Sequence, residues 1–181
     1  YNRLDVEGAY NVGGIVGNMK GTTVQNAENS GNVTATGYDN NGTYTYHTAE
    51  TDLNNIPNGT LTNGIVTAKV NVANVGGIAG KADDTVKSDG TVDKKSDIKN
   101  VTNSGNVSSS SDKESQKFTS GKTYEYEYYT AGNVGGIVGS AVDTNITNAT
   151  NRENEVRGAH NVGGVAGYFG NSNVNNNIKY T

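Results

Sequence analysis

The chain has 181 residues, a formal net charge of −4 and 32% hydrophobic residues. That length argues for one domain, residues 1–181, and the mild acidity leaves no electrostatic footprint for nucleic acid. The absence of cysteine excludes disulfides, thiolate zinc sites and Cys nucleophiles, and two histidines, His47 and His160, are too few for a multi-His metal site.

Composition sets the fold class. Leu occurs three times, whereas Val and Ile together occur 28 times, Asn 28 times and Gly 25 times. β-Branched residues favour strands, and Asn and Gly punctuate turns, so the chain reads as all-β. No apolar run reaches the length of a membrane-spanning helix, and no basic segment followed by an apolar one opens the chain. Because it begins with Tyr1, it is expected to be a piece of a larger protein.

In chain order, Val6 comes first, and the heptapeptide Asn11-Val-Gly-Gly-Ile-Val-Gly17 follows. It recurs as Asn74–Gly80, Asn133–Gly139 and Asn161–Gly167. An aliphatic-x-Asn triplet recurs at Val24–Asn26, Leu61–Asn63, Ile98–Asn100, Ile146–Asn148 and Val174–Asn176. A third segment recurs at Gly31–Val33, Ala68–Val70, Gly105–Val107 and Asn154–Val156. Ile15, Val24 and Val33 fall at equal intervals, as do Val156, Val165 and Val174.

Self-similarity at a fixed period marks a repeat architecture. The spacing predicts a right-handed parallel β-helix (β-solenoid) of about five turns, three short strands per turn, with one aliphatic side chain per strand pointing inward. The predicted inward residues are Ile15, Val24, Val33, Ile78, Ile98, Val107, Ile137, Ile146, Val165 and Val174. At a layer spacing of about 4.8 Å, five turns give a rod of about 24 Å. Open solenoid ends are exposed edges, so stacking on neighbouring repeats or a cap is expected on at least one side.

Insertions interrupt the repeat at residues 36–58, 82–96 and 109–131. The middle one is charged and reads as a solvated loop. The outer two share a corner and a composition. Asn41-Gly42 and Ser120-Gly121 read as turns of projecting β-hairpins.

The Gly-Gly-(Ile/Val)-(Val/Ala)-Gly core, followed by aliphatic-x-Asn and Gly-Asn-Val, resembles the GLUG-type repeat of bacterial surface proteins. That repeat occurs in the non-catalytic part of streptococcal immunoglobulin A1-specific metallopeptidases. The resemblance covers about two thirds of the chain and implies an extracellular or cell-surface location. It does not imply protease activity, because no His-Glu-x-x-His signature is present.

Two sets of residues stand out. Tyr38, Tyr44, Tyr46, Tyr124, Tyr126, Tyr128 and Tyr129 fall in the outer insertions. Tyrosine has a flat apolar face and a polar tip, suited to a host glycoprotein or glycan ligand, the alternative being that this face covers the side of the rod. Asn26, Asn63, Asn100, Asn148 and Asn176 keep a fixed phase to the core residue, which predicts a stacked amide ladder, the alternative being a row of ligand-binding amides.

No catalytic set, metal site or cofactor motif is read. Glu125 and Glu127, Asp83 and Asp84, and Glu153 and Glu155 lack partners at fixed spacing. The heptapeptides are followed by Asn18, Lys81, Ser140 and Tyr168, not by the Asp of calcium-binding β-rolls. The expectation is a non-catalytic adhesin-type stalk or ligand-binding module. The alternative is an accessory substrate-contacting region of a large secreted metalloprotease, and a polysaccharide-degrading β-helix enzyme is a third reading.

Overall fold

The computed structural model describes residues 1–36, 39–47, 59–62, 65–109, 113–120, 122–129, 131–158, 161–175 and 179–180. Among these residues the chain is all-β and winds as a parallel β-solenoid. Successive turns stack four parallel sheets. Sheet I holds Val6–Gly8, Val33–Ala35, Val107–Ser109 and Val156–Arg157. Sheet II holds Asn11–Gly13, the end of Ile65–Gly76, Ala131–Gly135 and Val162–Gly163. Sheet III holds Val16–Lys20, Ala79–Asp83, Val138–Val142 and Ala166–Gly170. Sheet IV holds Thr23–Asn29, Ser96–Asn103, Thr144–Asn151 and Asn173–Asn175, with Lys179–Tyr180 also pairing to Thr144–Asn151.

The expected three strands per turn become four, and about five turns become four layers. The reason lies inside the heptapeptide, which is two strands rather than one. Asn11–Gly13 belongs to sheet II and Val16–Lys20 to sheet III, with a sharp bend at Gly14-Ile15. A Cβ on Gly13 would lie 2.1 Å from the Val16 carbonyl oxygen, and one on Gly17 would lie 2.7 Å from that of Asn11. Only glycine lets the two arms approach so closely. Four layers at the usual spacing put the first and last strands about 14 Å apart, shorter than the rod expected from five turns.

The lost turn is the one built on Leu61 and Val70. Their aliphatic spacing mimics the solenoid, but Leu61 pairs antiparallel with Val66 and Val70 pairs antiparallel with Gly42. Both belong to the first insertion, which therefore extends past residue 58 to residue 71, where Val72 re-enters sheet II opposite Ala131. Asn41-Gly42 is not a turn; it lies within Asp39–His47, at a register shift.

Inward residues form two apolar clusters. One, between sheets III and IV, contains Ile78, Ile98, Val101, Ile137, Val138 and Ile146. The other, between sheets I and II, contains Val33, Val75, Val107 and Val134. Of the predicted inward residues, Val33, Ile78, Ile98, Val107, Ile137 and Ile146 are fully buried. Ile15 and Val174 hold equivalent positions in the outermost described layers and remain 37% and 45% exposed, because no further layer covers them among the described residues. The two clusters are separated by a column of buried amides, Asn29, Asn103 and Asn151. These press on the second glycine of the repeat: a Cβ on Gly77 would lie 2.2 Å from Asn103 Cγ, and one on Gly136 would lie 2.1 Å from Asn151 Nδ2.

Candidate functional site

Both tyrosine-bearing insertions leave the solenoid at the same corner, between sheets I and II. Ala35 pairs with Ser109 where the chain departs, and Val72 pairs with Ala131 where it returns. The departures are therefore one layer apart. In the first layer the same corner is made by Gly8-Ala9-Tyr10-Asn11 with no insertion at all.

In the first insertion, Asp39–His47 and Gly59–Thr62 flank the start of Ile65–Gly76 in an antiparallel arrangement. Register sets Tyr44 opposite Ala68 and Tyr46 opposite Val66, with Leu61 on the far side of Val66. In the second insertion, Lys113–Ser120 pairs antiparallel with Lys122–Tyr129, with Ser120 opposite Lys122; Gly121 lies outside the described residues. Tyr124, Tyr126 and Tyr128 stand opposite Phe118, Gln116 and Glu114. Tyr129 stands opposite Lys113, Glu125 opposite Lys117 and Glu127 opposite Ser115. Tyr38 lies outside the described residues.

The asparagines do structural work on three ladders. On sheet IV, Asn100 Nδ2 donates to Asn26 Oδ1 at 3.2 Å and Asn148 Nδ2 to Asn100 Oδ1 at 3.0 Å. All three are left-handed, with φ of 54°, 52° and 51°. Asn is among the few non-glycine residues that tolerate this conformation. The left-handed residue inserts a step in the alternation, so that Ile98 and Val101, three apart, both point inward. Asn63 and Asn176 lie outside the described residues.

The other two ladders went unread in the sequence. Asn74, Asn133 and Asn161 each donate Nδ2 to the Oδ1 of the layer before, at 2.8 Å, beginning on Asn11. In the buried column Asn29 donates to Asn103 Oδ1 and Asn103 to Asn151 Oδ1, while each also donates to its own turn, at the Gly31 and Gly105 carbonyls. The signal was available: the first residue of every heptapeptide is Asn, and an Asn follows three positions after Asn26, Asn100 and Asn148. Among 28 asparagines it was hidden by composition.

Sheet I, which feeds the insertion corner, carries a polar groove of 520 Å³ on its outer side. Asp5, Asn32 and Asn106 in its lining are engaged between layers. Asn32 N–H donates to Asp5 Oδ1, Asn106 N–H to Asn32 Oδ1 and Glu155 N–H to Asn106 Oδ1. Arg157 binds Glu155 Oε1 at 2.8 Å, and Lys81 binds Asp83 at 2.7 Å. In the middle insertion, Thr85–Val86 and Val92–Lys94 form a small antiparallel hairpin. There the Thr91 hydroxyl and N–H donate to Asp89 Oδ1, which holds that carboxyl below its ordinary value. Among the described residues no three His, Asp or Glu side chains are grouped so as to hold a metal ion, and no helix is long and apolar enough to cross a membrane. No family model, curated protein or solved structure matches the chain.

Proposed function

We propose that this chain is a non-catalytic extracellular module in which a stiff solenoid presents tyrosine-bearing hairpins to a glycan or glycoprotein. The observation that carries the reading is the common corner: two insertions with the same Tyr-rich composition emerge from adjacent layers of one edge. Placing paired strands on a layered scaffold restrains them before any ligand arrives, which lowers the ordering cost of binding. Tyr124, Tyr126 and Tyr128 occupy alternate positions of one strand, Lys122–Tyr129, and tyrosine is a residue type suited to stacking on sugar rings or filling an interface core. The groove on sheet I lies on the strand that leads into this corner and supplies a polar surface beside it.

The likeness of the repeat to the GLUG type supports a bacterial cell-surface setting, with the module serving as an adhesin-type stalk. The test is an array of host glycans and mucosal glycoproteins, probed with the intact chain and with a variant carrying Tyr124→Ser, Tyr126→Ser and Tyr128→Ser. Saturable binding by the first and its loss in the second is the expected result. An intact, folded chain that binds nothing on the array overturns the reading and leaves the rod itself as the function.

A further inference from the structure

The outer side of sheet I carries two rows of polar side chains that run along the solenoid axis. In the first row Asp5, Asn32, Asn106 and Glu155 are exposed, one in each layer. Oδ1 of Asp5, of Asn32 and of Asn106 accepts the backbone N–H of the next residue in the row. Those bonds tether the two amides, while Nδ2 of Asn32 and of Asn106 donates to no other described residue. Two donors are thus held one layer apart before any ligand arrives. In the second row, register aligns Glu7, Thr34, Ser108 and Arg157. The Thr34 and Ser108 hydroxyls lie 3.2 Å apart, and each keeps capacity for a further bond. Both rows line the groove of 520 Å³. Its charges sit in the outer layers: Arg157 is taken by Glu155, whereas Asp5 and Glu7 form no ion pair among the described residues.

We propose that this groove binds a linear, uncharged polysaccharide laid along the solenoid axis. The period selects the polymer. Groups on sheet I recur every ~4.8 Å, whereas an extended peptide advances by ~3.4 Å per residue and drifts out of phase within two layers. A pyranose in an extended 1,4-linked chain advances by nearly one layer, so each sugar meets the same pair of rows. The chemistry selects the same class. A sugar hydroxyl both donates and accepts, and the middle layers offer amide donors in one row and hydroxyls in the other. Charge selects against acidic polymers, because a uronate chain meets the unpaired carboxylates of Asp5 and Glu7. A cationic chain finds those two carboxylates in the first layer alone and only neutral groups in the middle two. The site is separate from the tyrosine hairpins and does not depend on them.

The test is calorimetric titration of the intact chain with β-1,4-linked oligomers of glucose and of N-acetylglucosamine, from disaccharide to hexasaccharide, beside oligogalacturonate as the acidic counterpart. Affinity for at least one neutral series is expected to rise up to the tetrasaccharide, which spans the four layers, and then to level off. The acidic series is expected to bind more weakly at every length. Thr34→Val combined with Ser108→Ala removes both hydroxyls together and should weaken binding about tenfold at an unchanged melting temperature. Should that pair melt early, Asn106→Asp replaces it: its carboxylate still accepts from the Glu155 N–H but no longer donates to a sugar. The variant with Tyr124→Ser, Tyr126→Ser and Tyr128→Ser should bind these oligomers as the intact chain does, which separates failure of this site from failure of the hairpin reading. No binding of either neutral series, an affinity indifferent to length, stronger binding of the acidic series, or full binding by folded groove variants overturns the proposal. Loss of binding in the tyrosine variant does so too.

Discussion

Asn100 and Gly77 show how much of this fold is decided at single residues. Asn100 holds a left-handed backbone with its amide bonded on both sides, to Asn26 and Asn148. Asn100→Ala should destabilise by about 1–2 kcal/mol, the cost of that conformation for a residue with a plain Cβ. Asn100→Gly, which relieves the strain but still loses the amides, should be milder. Denaturant titration of the two variants separates conformation from ladder: equal losses would mean that the amides alone matter. Gly77 and Gly90 make a second contrast. A Cβ at Gly77 meets Asn103 Cγ at 2.2 Å and the Gly136 carbonyl oxygen at 2.3 Å, whereas one at Gly90 meets nothing within 4 Å. Gly77→Ala should therefore fall at or beyond the upper end of the about 1–3 kcal/mol of an overpacked core. Gly90→Ala should cost only its left-handed strain, about 1–2 kcal/mol. Similar melting temperatures for the two would contradict the close packing of glycine against the buried amide column.

At the scale of elements, the insertions are additions to a layer that is complete without them. Ser109 corresponds to Gly8 and Ala131 to Ala9 in the stacked register. Joining Ser109 directly to Ala131 therefore gives the corner that the first layer already uses. Deletion of residues 110–130 should leave a chain that unfolds cooperatively within a few degrees of the intact one, measured by thermal melting. Loss of cooperative unfolding would mean that the hairpin supports the rod.

The repeat, the parallel solenoid and the shared corner of the insertions were legible in the sequence, because identical residues at a fixed phase leave few ways to pack. The four-sided cross-section was not. It depends on a bend at Gly14-Ile15 whose cause is the approach of Gly13 to the Val16 carbonyl, a contact across space that spacing alone does not reveal. Leu61 and Val70 misled for the opposite reason, since alternation in an antiparallel insertion copies the interval of the solenoid.

At the scale of the whole molecule, burial among the described residues is deepest in the two middle layers. Inner-layer residues such as Ile78, Ile98, Ile137 and Ile146 are fully buried, and their end-layer counterparts are not. A charge placed in the middle has neither partner nor water, so Ile137→Asp should cost more than about 4 kcal/mol and abolish the folding transition. Retention of the melting transition by that variant would displace Ile137 from the core. In the proposed function the rod is the holder and the hairpins are what it holds. The most direct measurement is binding of the chain lacking residues 110–130 to whatever glycan or glycoprotein the intact chain captures. The account predicts that this shortened chain folds and binds at least tenfold more weakly. Undiminished binding by a folded shortened chain would contradict it and move the site elsewhere on the solenoid.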